Sequence, residues 1–478
     1  MTRVTDVEAC VIGGGPAGAA FALRLARLGH DVVLIERSVF PRPRVGEAMA
    51  PSIWTVLDIL EIRDEVAQAG FARTEQSILR WGGVDEDLSQ PPGRFGLMVD
   101  RGRFDAILVE AAKKAGARVI QPARAKAPRA CPGGWIVPAE SAEGELFVEA
   151  RFLVDAAGRY SNIRRTEPAA GPLTVALSGH WRDTSLVPGP NRVEAGKTCW
   201  YWGAPRPNGA FCAMVFVDKE RYRGRRRREI EADYREWLSR SELLRDCLRG
   251  ALEDGVRLHD ATPHQNAACV TENSIKVGEA SFSLDPLSSQ GVQAAIISGV
   301  QAAIVVHTML THPEDAQAAK AFYRDAQNDA VERHRAAAAR HYAAGLAAMR
   351  TSFWRERAAT SLVSMSPTPM SPTPMLPAPM APPPAFVGRA RLSSEVRIED
   401  VPIIERDHVA VRKGLHFPAL GRPFAYLDGI AVETLLQRVA NSDSLEALGQ
   451  ALARDTSRER GRRMVSWLVQ QRILVSSE

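Results

Sequence analysis

Between Val7 and Glu36 the chain orders its apolar and polar positions in a recognisable way. Val7–Ile12 is a short apolar run, followed by Gly13-Gly14-Gly15-Pro16-Ala17-Gly18 and then by an Ala/Leu-rich helical pattern to Leu28. Gly29 stops that helix, and Asp31–Ile35 is a second apolar run ending in Glu36. Strand, loop, helix and strand make a βαβ unit, with the Gly13-x-Gly15-x-x-Gly18 loop at its turn. Glycines permit the tight turn and let backbone approach a pyrophosphate at a helix N-terminus, where the dipole favours an anion. Glu36 is placed to hold ribose hydroxyls.

Further on, Arg101–Ala112 reads as a helix and Phe152–Arg165 as a strand and turn. From about Pro172 to Val270 the text changes to short β-rich runs, Thr174–Trp181, Val193–Trp202 and Ala210–Val217, separated by Pro/Gly/Asn turns. These predict an antiparallel sheet carrying a substrate site. Pro313–Arg350 predicts a long alanine-rich helix. Ser366–Met370 and Ser371–Met375 repeat SPTPM, and nine prolines fall between Ser366 and Pro384. Such a stretch reads as a semi-rigid linker or strap, with a PxxP ligand as the alternative. Past Val387 the pattern is globular again. Val409–Leu415 and Phe424–Leu427 read as strands, and Ile430–Val439, Ser444–Ala453 and Arg458–Leu468 as helices. A terminal strand follows at Arg472–Val475, which suggests a small winged-helix-like module.

Composition narrows the classes. The 478 residues allow two or three domains, and 45% hydrophobic with 24% charged residues excludes a disordered chain. Six scattered cysteines without CxxC spacing argue against a disulfide scaffold or zinc site, and fit a reducing compartment. Ala9–Leu28 is apolar enough to imitate a signal peptide or membrane span, but glycines and a proline interrupt it and Glu8 precedes it. No membrane role is expected, and the expected compartment is the cytoplasm. The net charge of +5 is matched by the six arginines of Arg221–Arg228 alone. That run is either a solvated face or a docking patch for an acidic protein partner. An isolated run unaccompanied by any nucleic-acid motif argues against a nucleic-acid role. The basic residues are 53 arginines and 8 lysines, and the first lysine is Lys113.

Five motifs occur in order: GGGPAG with Glu36-Arg37; Pro41-Arg42-Pro43-Arg44-Val45-Gly46-Glu47; Val99-Asp100-Arg101-Gly102-Arg103-Phe104-Asp105; Val154-Asp155-Ala156-Ala157-Gly158-Arg159; and Asp285-Pro286-Leu287-Ser288-Ser289-Gln290-Gly291-Val292. Together they resemble single-component FAD monooxygenases and their relatives, the flavin halogenases and geranylgeranyl-reductase-like enzymes. The resemblance covers roughly residues 5–350. It implies FAD, with Gly13, Gly15, Pro16, Ala17 and Gly18 at the pyrophosphate and Glu36 and Arg37 at the adenosine ribose. It also places Arg44, Gly46 and Arg101 near the phosphates and ribityl chain, and Asp155 and Gly158 on the adenosine side. The Asp285–Val292 turn, with Pro286, Ser289, Gly291 and Val292, would lie beside the isoalloxazine ring. Glu279 stands where relatives carry an aspartate on the ribityl hydroxyls. No second GxGxxG occurs, so NADH or NADPH would reach the flavin transiently or through a separate reductase.

Cys199-Trp200-Tyr201-Trp202-Gly203-Ala204-Pro205 is similar to the WxWxIP signature of flavin halogenases, with Ala204 for Ile. Those enzymes also use a lysine early in the chain to handle hypohalous acid. Here none precedes Lys113, and arginine, with its high pKa, supplies no neutral amine. Trp200 and Trp202 then either line a wall between flavin and substrate or are cross-strand core residues. The C-terminal module resembles peptide-binding winged-helix domains, which add the substrate as a β-strand. The combination resembles flavoprotein monooxygenases that mature a cysteine tryptophylquinone subunit by oxygenating a peptidyl tryptophan.

That resemblance implies O2 as co-substrate, a flavin C4a-hydroperoxide as oxygen donor, and a peptide or small protein carrying the target tryptophan as partner. Candidates for proton handling are Glu47, His180, and the His259-Asp260 pair with His264. The competing readings are a halogenase or hydroxylase of a small aromatic metabolite, and a flavin-bound assembly factor without turnover. The expected architecture is α/β: a Rossmann-like FAD-binding domain of the glutathione-reductase type (1–75, 98–168 and 270–358), with an inserted antiparallel β-sheet substrate domain (76–97 and 169–269). A Pro-rich linker (359–386) and a winged-helix-like α+β peptide-recognition domain (387–478) complete it.

Overall fold

The computed structural model describes residues 2–42, 44–161, 171–206, 208–362 and 390–476. Pro43, the end of the Phe152–Arg165 segment and nearly all of the Pro-rich linker lie outside the described residues. The chain falls into two compact units. One holds the residues up to Leu310 and from Tyr323 to Leu362, and the other Thr311–Phe322 and residues 390–476.

In the first unit the expected βαβ core is present. The strand Thr2–Ile12 pairs in parallel with Val32–Ile35 on one side and Gly144–Asp155 on the other. Arg118–Ile120 and Ser274–Lys276 extend the parallel arrangement. Four apolar residues in succession in Val32–Ile35 are all buried, as a strand covered on both faces requires. The helix Pro16–Arg27 starts with proline at its first turn and ends before Gly29, whose φ of 89° closes the last turn. It is buried on nearly every side, from Ala17 through Leu23 and again at Leu25 and Ala26. Against it lies the helix Gly291–Thr311, at a point where a Cβ on Gly299 would collide with the Ala17 carbonyl oxygen. This helix is long and apolar enough to cross a membrane by length and composition; Ile296, Ala302, Ala303, Ile304, Val305 and Val306 are buried in the fold.

A second sheet of seven strands combines Gln76–Trp81 and Val84–Ser89 with five strands between Thr174 and Asp260. The run Val193–Trp202, read above as one strand, is a hairpin. Asn191–Gly196 and Cys199–Pro205 pair antiparallel across the turn at Lys197. Val193 and Ala195 share a face with Trp200 and Trp202, a change of parity that a single strand does not allow, and Lys197-Thr198 makes the turn.

Alternation sorts this sheet into two faces. Val175, Leu177, Trp181, Tyr201, Phe211, Ala213 and Val215 face the helix Arg227–Ser239, which buries Ile230, Tyr234, Trp237 and Leu238. That helix was not anticipated, although its apolar spacing of four, three and one residues is helical. Polar tips on this face are satisfied: Trp181 Nε1 donates to the Tyr234 hydroxyl at 3.0 Å, and that hydroxyl donates to the Ala213 carbonyl at 2.9 Å. Each fully buried aromatic here contributes about 2–3 kcal/mol. The opposite face carries Ala176, Trp200, Cys212, Met214 and Phe216, and packs Val45, Leu287, Tyr342, Phe353 and Trp354. Tyr342 lies on the helix Ala316–Met349, which matches the long helix expected at Pro313–Arg350.

The second unit has its own core of Leu415, Phe424, Leu427, Leu435, Leu452, Trp467 and Leu468, among others. Its helices are Val432–Ala440, Leu445–Ala453 and Arg458–Gln470. Ser444 caps the second by accepting from Ala447 N at 3.1 Å, and Ser457 caps the third from Arg460 N at 3.3 Å. Leu474–Ser476 pairs with Ala390–Leu392, and Arg397–Glu405 with His408–His416. The strand Arg397–Glu405 was not read from the sequence, because Pro402 and its acidic residues break the alternation. Ile430 and Ala431 belong to a short strand pairing with Tyr426–Leu427, so the first helix starts two residues later than expected.

Candidate active site

At the nucleotide end the loop Gly13–Gly18 is folded tightly. A Cβ on Gly13 or Gly18 would collide with the Ala156 or Gly13 carbonyl oxygen, respectively. Gly15, the N-cap of the first helix, supplies no side-chain cap. The helix N-terminus therefore keeps its donors for an external anion. Glu36 is buried, accepting from Gly14 N at 2.7 Å and from Ser38 N at 2.9 Å. Arg42 lies 3.9 Å from Glu36 and 3.8 Å from Asp105, beside Gly15. Within the Pro-Arg-Pro-Arg motif, Arg42 is therefore the arginine at the loop, while Arg44 is exposed. Arg37 is exposed as well. Asp155 ends its strand and accepts from Ala157 N at 3.2 Å and Ser161 Oγ at 2.6 Å; burial pushes its pKa up. Gly158, at φ 77°, opens the next turn. A bare helix N-terminus, close-packed glycines and a buried ribose-type carboxylate fit FAD.

The middle of the site is built by Arg101. Its Nη1 donates to the Val45 carbonyl at 2.6 Å and its Nε to Asp105 at 3.1 Å. A Cβ on Gly46 would meet the Arg101 guanidinium at 2.8 Å and Val292 at 3.5 Å. Arg101, Gly46 and Val292, far apart in sequence, thus converge at the flavin turn. Asp285 accepts from Leu287 N at 3.0 Å and from the Tyr342 hydroxyl at 2.8 Å, and burial raises its pKa. Ser289 takes the left-handed conformation (φ 50°) after the turn Pro286–Ser288. A side chain on Gly291 would meet nothing within 4 Å, so the turn faces open space. Glu279 is held by Arg159 at 3.4 Å and by the Ser283 hydroxyl at 3.2 Å. Its carboxylate is thus engaged by protein groups at the expected ribityl end.

The proton-handling candidates separate. His259 bonds Ser178 Oγ at 2.9 Å, and burial lowers its pKa, with Arg257 and Arg44 adding to the effect. Its neighbour Asp260 instead accepts from Lys219 at 2.7 Å and from Thr262 N at 3.0 Å. Consecutive strand residues point to opposite faces, so His259 and Asp260 do not act as a pair. His264 joins the Arg159 group, with Nε2 3.0 Å from the Glu279 carbonyl oxygen. His180 lies directly opposite Cys212 in the sheet and approaches Glu47 to 3.9 Å. Trp200 is buried and stacked on Phe216 with ring centroids 3.6 Å apart, while Trp202 on the same face is partly exposed. Arg206 and Tyr342, which sequence reasoning missed, complete the polar groups here. Arg206 lies just beyond the tryptophan strand, but no spacing rule connects it to Glu47.

A match to the FAD-binding domain family covers residues 6–262, more than half of the chain, and the protein belongs to that family. It is 29% identical over 344 residues to the tryptophan 2-halogenase of Chondromyces crocatus, covering 68% of this chain and 65% of that protein. The chain thus spans less than two thirds of that relative's length. Among solved structures it is similar to the peptidyl tryptophan dihydroxylase QhpG, essential for tryptophylquinone cofactor biogenesis. That likeness has a TM-score of 0.73 and 24% identity, over 98% of this chain and 99% of QhpG. It is also similar to the flavin-dependent halogenase CmlS, with a TM-score of 0.78 and 20% identity over 99% and 96% of the two chains. These structural likenesses establish a shared fold, and the family match establishes an FAD-binding domain.

Proposed function

We propose that this protein is an FAD-dependent monooxygenase that hydroxylates a tryptophan side chain within a peptide or protein, during biogenesis of a tryptophylquinone cofactor. The observation that carries this reading is the absence of lysine before Lys113 in a chain with a halogenase-like flavin domain and tryptophan strand. Among the described residues, the basic side chains gathered around Glu47 are His180, Arg206 and Arg101, none of which supplies a neutral amine at ordinary pH.

Bound FAD, reduced by NADH or NADPH directly or through a reductase, would supply the oxygen-activating chemistry with O2. Gly13–Gly18, Glu36 and Arg42 would hold its nucleotide half, and Gly46, Arg101 and the Asp285–Val292 turn its ring end. The chain's own contribution to the reaction is to orient an electron-rich indole against the sheet face of Trp202 and Met214. It must also exclude water there and manage a proton through Glu47 and His180. An indole ring is already nucleophilic, so no strong base is required. The second unit is the proposed peptide-recognition module, and a reducing cytoplasm suits the six free cysteines.

The test is mass spectrometry of tryptophan-containing peptides incubated with the FAD-loaded protein, NADH or NADPH and O2, with chloride and bromide present. Gain of one or two oxygen atoms on a peptidyl tryptophan is the expected result. Halogen incorporation, or oxygenation of free aromatic metabolites alone, would replace this reading with the one favoured by the sequence relatives.

A further inference from the structure

We propose that Glu47, His180 and Arg206 enclose one bound water, and that through it Glu47 exchanges a proton with the reacting centre beside the flavin. This rests on the oxygenase reading above. The first observation is that three polar atoms are buried, aimed at one another and unpaired: Glu47 Oε1, His180 Nε2 and Arg206 Nε. Both nitrogens lie 3.9 Å from Glu47 Oε1. That separation is too long for a hydrogen bond and suits a single water between them. Buried polar atoms are rarely left unpaired, so three meeting at one point call for a shared partner.

The second observation assigns the protons. Arg206 Nη1 lies 3.4 Å from His180 Nδ1, and a guanidinium only donates. Nδ1 is therefore an acceptor, and neutral His180 carries its proton on Nε2, facing Glu47. Burial lowers the His180 pKa to about 4, with Arg206 and Arg257 adding to the effect, so the ring stays neutral near pH 7. The bridging water accepts from His180 Nε2–H and Arg206 Nε–H and donates to Glu47 Oε1. One O–H remains for the reacting centre. Glu47 is the member that changes charge. Once protonated from solvent, Glu47 donates its Oε1–H to the water in place of one nitrogen donor. That proton passes to the water as the water's outer proton moves to the reacting centre, and the carboxylate left behind is reprotonated from solvent in each cycle.

The remaining carboxylate oxygen, Oε2, accepts from Gly46 N at 3.0 Å, which fixes the carboxyl plane. Burial raises the Glu47 pKa, opposed by Arg206 and Arg101. Other charged or titratable groups facing the cluster are Cys212 and, around His180, Glu253, Asp254 and Arg257. Cys212 Sγ groups with Glu47 and His180 closely enough for a cation, but the Arg206 guanidinium already brings a positive charge there, which disfavours a metal ion.

The test uses the full FAD-loaded chain without substrate. Infrared pH titration of the wild type, Glu47→Gln and Arg206→Gln reads the protonated-carboxyl band directly. The expected wild-type band disappears in Glu47→Gln and has a midpoint above the ordinary 4.5. Arg206→Gln moves that midpoint up by about one pH unit or more, a tenfold change in proton affinity. If Glu47→Gln fails to retain FAD, the Arg206→Gln shift decides. A midpoint that ignores Arg206 overturns the proposal. So does a high-resolution holoenzyme structure with Glu47 Oε1 bonded directly to either nitrogen and no water between. Neither readout involves tryptophan, so failure here leaves the substrate assignment to mass spectrometry.

Discussion

Two buried glutamates mark the ends of the site, and their surroundings differ in kind. Glu36 accepts two backbone N–H bonds at 2.7 and 2.9 Å. Glu47 has one oxygen bonded and the other facing two nitrogens at 3.9 Å. The nucleotide end is completed by folding itself, since its donors belong to the loop that makes the turn. The sheet end brings side chains from three separate segments to within one water's width and leaves them there. A rigid cradle suits a cofactor that stays, and a polar cluster spaced for one bridging water suits a proton that moves.

The largest expected effect attacks the cradle. Gly18→Ala should weaken FAD binding by about a hundredfold, roughly 2.7 kcal/mol, because the new methyl collides with the Gly13 carbonyl. Fluorescence titration of the apoprotein checks this, and binding within threefold of the wild type would break the contrast.

Acid should expose the other end. An unfolded histidine titrates near 6.5 and His180 near 4, so the unfolded state binds more protons between these values. Stability therefore falls as pH drops through that window, by at most about 1.4 kcal/mol per pH unit for one group. Glu47, raised above 4.5, pulls the opposite way above that pH. Chemical denaturation across pH should show a flatter acid limb in His180→Leu and a steeper one in Glu47→Gln.

Tyr342→Phe tests the flavin turn between the two ends. It removes the Tyr342 hydrogen bond to the Asp285 carboxyl and should cost about 1–2 kcal/mol, visible as a lower Tm. The smallest effect belongs to the arginine run. Arg221 and Arg225 approach Asp233 at 3.7 and 3.6 Å, and Arg223 is a highly exposed side chain beside Glu220. Arg223→Ala should change stability by less than about 0.5 kcal/mol, measured by the same denaturation. Much of the apparent patch is thus locally neutralised, which weakens its reading as a docking surface for an acidic partner.

The cradle was legible because its chemistry is local. Gly13, Gly15 and Gly18 sit within six residues, and the same turn that spaces them creates the anion site. The sheet was legible as apolar runs, yet the hairpin inside Val193–Trp202 was passed over, although its apolar positions change parity across Lys197-Thr198. The helix Arg227–Ser239 was hidden behind its arginines, although Ile230, Tyr234, Trp237 and Leu238 had helical spacing all along. His259 and Asp260 looked like a pair on the page, and strand geometry turned them to opposite faces.

Sequence alone determined the nucleotide-binding unit, the flavin family resemblance, the absence of early lysine and the three helices with the terminal strand of the C-terminal module. These follow from residue type and short-range periodicity, which a linear text records directly. Only tertiary structure decided that Arg42 rather than Arg44 adjoins the glycine loop, that Tyr342 reaches Asp285, and that Arg206 and His180 meet Glu47. Residues 47, 180 and 206 belong to separate segments, and their meeting depends on a loop seated against one face of a twisted sheet. Pairing register and side-chain direction set that meeting, and both are properties of the packed chain.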